Sequence, residues 1–157
     1  MAGRVLACIV GLFACALIFA PTTTALGPLF TVKVAKQKNG SYGSDTKVKL
    51  DKDETVNLWY RMKNVSPGQL SNSGFDDGDN EIPDGLSVKW FKGKTNVSHD
   101  VQTSGLDFDL KEDQVRYFQA KVRADRKNVK HCLIGRGNYG DAIYKSARGD
   151  VNGNCPA

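Results

Sequence analysis

One pattern constrains this chain more than any other: a short charged turn that feeds a long alternating strand, present twice. The first copy runs Leu50-Asp51-Lys52-Asp53-Glu54 into Val56, Leu58, Tyr60 and Met62. The second runs Leu110-Lys111-Glu112-Asp113-Gln114 into Phe118, Ala120 and Val122. Apolar side chains at every second position, with polar ones between, describe an antiparallel strand that buries one side and wets the other. Two such pairs in a small chain predict two packed sheets.

The N-terminus has the layout of an export signal. Arg4 precedes an uncharged apolar run from Val5 to Ala20, and Thr23-Thr24-Ala25 offers small residues for cleavage before Leu26. A membrane anchor is the competing reading, but the run is shorter than the ~20 residues a bilayer span requires. Residues 1–25 are therefore expected to be a signal peptide and 26–157 one mature domain, able to bury roughly two-thirds of its unfolded surface. No membrane span is expected after cleavage, and the location is expected to be secreted or otherwise extracytoplasmic. Arg4 is the only charged residue before Leu26, so the formal charge of +5 for the whole chain becomes +4 for the mature part. That excess is small and spread out, which argues against nucleic acid as a partner.

Cysteine usage agrees with export. Cys8 and Cys15 fall in the signal, leaving Cys132 and Cys155 as an even pair in an oxidising compartment. A bridge between them would contribute about 3 kcal/mol through loop closure. Neither cysteine has a neighbour at zinc spacing, and His131 adds at most one further donor.

Along the chain, strands are expected at about 29–36, around Val48 and Leu50, at 55–64, at Leu86 to Trp90, weakly at Val97 to Val101, at Leu106 to Leu110, at 115–124, at Cys132 to Ile134, and at Asp141 to Ala147. Pro67 to Gly85 reads as a long polar loop, and Gly135 to Gly140 reads as a turn. Turn signals every 8–12 residues without helical periodicity predict an all-β fold of about eight strands.

The stretch Val56-Asn57-Leu58-Trp59-Tyr60-Arg61-Met62-Lys63-Asn64 resembles the second strand of bacterial immunoglobulin-like modules of the CARDB and NEW3 kind. Gly85-Leu86-Ser87-Val88-Lys89-Trp90-Phe91, the strand from Leu110 to Val122, and Asp141-Ala142-Ile143 are similar to later strands of those modules. Asp53 and Asp113 stand where the modules usually carry Gly. The resemblance spans most of residues 29–148. It implies an immunoglobulin-like antiparallel β-sandwich on an exported or surface protein, in adhesion, scaffolding or carbohydrate-associated roles, with no catalytic residue carried over. It also implies that strands 55–64 and 115–124 are neighbours. Their outward side chains would then be Asn57, Trp59, Arg61 and Lys63 on one, and Tyr117, Gln119, Lys121 and Arg123 on the other.

From that face come the candidate ligand-binding residues Trp59, Arg61, Tyr117, Lys121 and Arg123. A water-facing Trp stacks on sugar rings or anchors a protein partner, and the cations suit an acidic glycan or a cell-surface protein. The competing readings are that a loop covers Trp59 and that the charges are a solvated face. Trp90, in phase with Leu86 and Val88, belongs to the core. The acidic stretch Asp76, Asp77, Asp79 and Glu81 offers oxygen ligands for Ca²⁺, the one metal that the residues bring into view, and Asp150-Val151-Asn152-Gly153-Asn154 echoes a calcium turn. A solvated loop is the default for both. Arg148-Gly149-Asp150 matches an integrin tripeptide by letter, and Asn39, Asn64 and Asn96 begin glycosylation sequons. An enzyme is not expected: His99 and His131 are the only histidines, and Asp107 and Asp109, though on one side of a strand, adjoin a surface turn.

Overall fold

A computed structural model describes residues 29–140 and 142–156. The expected signal peptide over 1–25 lies outside the described residues, as does Asp141 of the expected last strand. The strands are β1 (Phe30–Ala35), β2 (Asp45–Val48), β3 (Thr55–Asn64), β4 (Leu70–Asp76), β5 (Leu86–Lys92), β6 (Thr95–Asn96), β7 (Leu106–Leu110), β8 (Val115–Ala124), β9 (His131–Tyr139) and β10 (Ile143–Val151). One short helix, α1 (Ser98–Thr103), lies between β6 and β7. Two five-stranded sheets form, in the orders β1-β3-β8-β5-β6 and β2-β10-β9-β4-β7. The first reproduces the A-B-E-D order of an immunoglobulin-like sandwich, and β10-β9-β4 in the second reproduces G-F-C. The expected all-β sandwich is therefore present, with ten strands among the described residues instead of about eight, and with β2 pairing parallel to β10. Among the described residues no helix is long and apolar enough to cross a membrane.

The duplicated pattern holds in atomic detail. In each turn the fourth residue donates its N–H to the first carbonyl, Glu54 to Asp51 at 3.2 Å and Gln114 to Lys111 at 3.0 Å. Its side chain in turn accepts the N–H of the first, Asp51 at 3.0 Å and Lys111 at 2.9 Å. The third residue, Asp53 or Asp113, is left-handed, with φ of 65° and 56°. This is the position where the resembling modules carry Gly, and aspartate is among the few side chains that tolerate it. From these turns β3 and β8 emerge in register, Leu58 opposite Ala120 and Tyr60 opposite Phe118, with all four buried.

Between the sheets sits a cluster of four rings. Phe75 stacks on Phe118 at 3.9 Å between centroids and meets Trp90 edge-on at 5.6 Å, while Tyr60 lies 5.2 Å from Trp90. Room for these rings comes from the facing strands. A Cβ on Gly135 would lie 2.7 Å from Tyr60 Cε1 and 2.9 Å from Phe75 Cζ, and one on Gly137 would lie 2.7 Å from Val32 Cγ2. The Tyr60 hydroxyl, fully buried, donates to the Leu133 carbonyl at 2.8 Å, and burial holds its pKa far above the ordinary phenol value.

Three sequence expectations are corrected. The segment Gly135 to Gly140 is not a turn: up to Tyr139 it belongs to β9, where glycines at inner positions allow the sheets to approach. Pro67 to Gly85 is not one loop, because β4 runs through it. A register shift between Leu70 and Ser73, with Asn72 at φ 56°, breaks the alternation that would have marked it. Val97 and Val101 do not mark a strand: both are buried against the core from the start and body of α1. Four residues apart is an even number for a strand and about one turn for a helix, so the pair alone does not discriminate.

Cys132 and Cys155 form the expected disulfide, with Cα atoms 4.7 Å apart. The C-terminal turn is also held by Asp150 and Asn152. The Asp150 carboxylate accepts the N–H groups of Asn154 at 2.6 Å and Cys155 at 3.3 Å. Asn152 accepts from Leu50 N and donates to the carbonyls of Leu50 and Val129.

Gly135→Ala is expected to lower stability by about 1–3 kcal/mol through overpacking against Tyr60 and Phe75, and Tyr60→Phe by about 1 kcal/mol through loss of the hydroxyl's bond to the Leu133 carbonyl. Urea melts of both variants check this, with an unchanged midpoint as the contrary result.

Candidate functional site

The face that the sequence singled out forms on the first sheet. Register places Arg61 beside Tyr117, Trp59 beside Gln119, and Asn57 beside Lys121. On the other flank of β8, Phe91 lies beside Gln119 and Lys89 beside Lys121. Beyond β3, Lys33 lies beside Arg61 and Ala35 beside Trp59. Gln119 donates to the Asn57 carbonyl oxygen at 2.9 Å, fixing both amides across the strands.

The loop between β1 and β2 folds over one end of this face. Val34 and Gly43 exchange backbone hydrogen bonds of 2.8 and 3.0 Å, which close the loop at its base. Tyr42 donates its hydroxyl to the Lys38 carbonyl at 2.8 Å, and its ring lies 4.6 Å from the Arg61 guanidinium. The Lys38 ammonium sits 5.8 Å from the Trp59 ring and 5.6 Å from the Tyr117 ring. Cations and aromatic faces therefore alternate, each ring quadrupole holding a charge in place. Trp59 is half-buried, with the loop's Lys38 as a neighbour of its ring. Burial first, and then the neighbouring Tyr117, push the Tyr42 phenol up to about 12, although Arg61 opposes the shift. Among the described residues, buried Arg61 Nε has no hydrogen-bond partner.

Trp59, Arg61 and Tyr117 are thus brought together, and Lys121 stands at the exposed edge of the same group. Arg123 is not with them: it lies at the far end, 3.5 Å from Asp53 and 3.7 Å from Asp125. Sequence reasoning missed Lys38 and Tyr42, since Asn39-Gly40 and Tyr42-Gly43 announce a turn but not where it lands. Nothing local orients Phe91, and only the β5–β8 register turns it to this face.

A charge asymmetry accompanies the site. Strands β1, β3, β5 and β8 together carry eight Lys and Arg and no Asp or Glu. The second sheet mixes signs, with Asp45, Asp76, Asp107, Asp109 and Asp150 in its strands.

The acidic loop is differently organised. Asp76 accepts from Arg136 Nε at 2.8 Å and from Gly78 N at 2.7 Å, and Asp79 lies 3.5 Å from the same guanidinium. Arg136 also lies over the Tyr144 ring at 5.1 Å. Asp77 is 3% exposed, and its pKa is raised by burial first and by the Asp76 carboxylate second. Glu81 is exposed. A guanidinium thus occupies the place a cation would take, and among the described residues no three His, Cys, Asp or Glu side chains gather as a metal site. The echo at Asp150 to Asn154 is a backbone-capping turn. Arg148-Gly149-Asp150 lies within β10 with Asp150 4% exposed, which hides the tripeptide's carboxylate. Asn64 is fully buried and donates to the carbonyls of Gly68 and Leu110, so that sequon is closed in the folded chain. Asp107 and Asp109 point outward from β7, where Asp109 accepts from Gln69.

No protein-family model and no curated protein matches the chain. Solved structures similar to it include a family 123 glycoside hydrolase from Clostridium perfringens, at TM-score 0.48 and 6% identity over 78% of this chain. This chain covers 27% of that hydrolase. The N-terminal domain of PorA is similar at TM-score 0.48 and 8% identity, covering 79% of this chain and 100% of that one. AvmM, which catalyses macrocyclization in alchivemycin A biosynthesis, is similar at TM-score 0.47 and 10% identity, covering 82% and 91%. Likeness this distant transfers no activity.

A buried carboxylate with a raised pKa favours the fold below its unfolded value, near 3.9, and weighs against it as pH rises. Asp77→Asn is therefore expected to raise the melting temperature at pH 7, with the gain vanishing below about pH 4. Millimolar calcium should leave the wild-type melt unchanged. A calcium-dependent rise that Asp77→Asn abolishes would restore the metal reading.

Proposed function

We propose that the chain is an exported, non-enzymatic binding module that works at or outside the cell surface and takes an acidic glycan on the outer face of its first sheet. The observation that carries this is the all-basic sheet with Trp59, Tyr117, Tyr42 and Phe91 set among its cations. Rings offer flat apolar surface to sugar, and ammonium and guanidinium groups pair with its carboxylates or sulfates. The disulfide fits an oxidising compartment, and the resemblance to CARDB and NEW3 modules supports an extracellular role. The histidine inventory supports a non-enzymatic role, with His99 exposed on α1 and His131 buried, its pKa lowered by desolvation. An immunoglobulin-like sandwich does not by itself fix function, so the reading rests on the face.

Trp59→Ala and Arg61→Ala are each expected to weaken binding to polygalacturonate by about fivefold, near 1 kcal/mol per lost contact. Neutral dextran should not bind. Isothermal titration with both polymers is the measurement, and equal affinity for the two, or variants indistinguishable from wild type, would sink this reading.

A further inference from the structure

Beside the β2 edge, away from the face just described, lies a surface cavity of about 670 Å³ walled by four lysines. Lys36 enters it from the end of β1, Lys47 and Lys49 from β2 and its continuation, and Lys130 from the connection between β8 and β9. Alternation explains the middle pair: Val48 and Leu50 turn into the core, so Lys47 and Lys49 share the opposite side. Among the described residues none of the four lysines makes an ion pair. The single carboxylate in the wall is Asp51. Lys47 lies opposite Asp150 across the parallel β2–β10 pairing, but that carboxylate is engaged by Asn154 N and Cys155 N.

The walls are held in place. Asn152 ties Leu50 on one side to Val129 on the other, and the Cys132–Cys155 bridge fastens the tail that carries Asn152. The segments that carry Lys49 and Lys130 are thereby held beside one space, and four exposed lysines line it. Bringing them together is unfavourable unless water and salt screen them or an anion sits between them.

We infer that this cavity is an anion site for a ligand bearing tetrahedral oxyanion groups in series, phosphate or sulfate esters. Ammonium groups act as point charges with freely turning donors, which suits a tetrahedral oxyanion. Planar carboxylates are matched by the fork of arginine, and the cavity has none. The site stands independently of the glycan reading.

Titration calorimetry of the intact chain with inorganic tripolyphosphate and, separately, sucrose octasulfate tests the inference, with citrate at matched ionic strength as the planar control. Saturable binding of either probe is expected, about tenfold weaker in Lys47→Gln/Lys130→Gln, with citrate weaker than the probe by a similar factor. Lys94→Gln, in the exposed β5–β6 turn, should bind as wild type does. A second pair, Lys36→Gln/Lys49→Gln, carries the same expectation should the first pair fold poorly. Binding of tripolyphosphate alone assigns phosphate esters, and binding of both assigns the shared chemistry. No saturable heat at millimolar probe, citrate binding as tightly, or Lys94→Gln losing as much as the cavity variants would overturn the inference. A loss confined to Trp59→Ala would place the anion on the sheet face instead and equally overturn it.

Discussion

Everything in this sandwich depends on how closely the two sheets approach where Tyr60, Phe75, Trp90 and Phe118 meet. Tyr60 on β3 needs a facing surface with almost no side chain, which Gly135 and Gly149 supply, while Gly137 makes the same room for Val32 and Met62. The Tyr60 hydroxyl then reaches the Leu133 carbonyl across the gap, so one polar bond sets the spacing that dispersion fills. With the spacing fixed, the outward faces of both sheets become surfaces of defined shape.

Strong alternation was legible in the sequence because burial on one side of a strand leaves a period of two. Strands β3 and β8 have the bounds that their residues imply, and Trp90 is fully buried where its phase put it. The pattern failed where the core is made by absence. Glycines on the inner side of β9 carry no apolar signal, although they pack as tightly as any leucine. The shifted register in β4 moved Ser73 into the interior, where it bonds back to the Leu70 carbonyl, so a polar residue sits at a core position.

The site was legible only as far as it lies on strands. Trp59, Arg61 and Tyr117 follow from the β3–β8 pairing, but Lys38 and Tyr42 arrive from a loop whose landing place depends on tertiary contacts. Charge was harder still. A spread-out excess of a few units conceals that the strands of the first sheet hold no acid, because sequence order interleaves the two sheets. The cavity lysines illustrate this: three separate segments contribute them, and only the fold makes them neighbours.

Summed over their strands, the first sheet carries +8 and the second −1, a charge difference across the thickness of the sandwich. Near an anionic surface such a body experiences a torque before it makes contact, and it arrives with β3 and β8 leading instead of tumbling through random collisions. The bias acts on encounter, so raising ionic strength would slow capture well before it loosened a complex already formed.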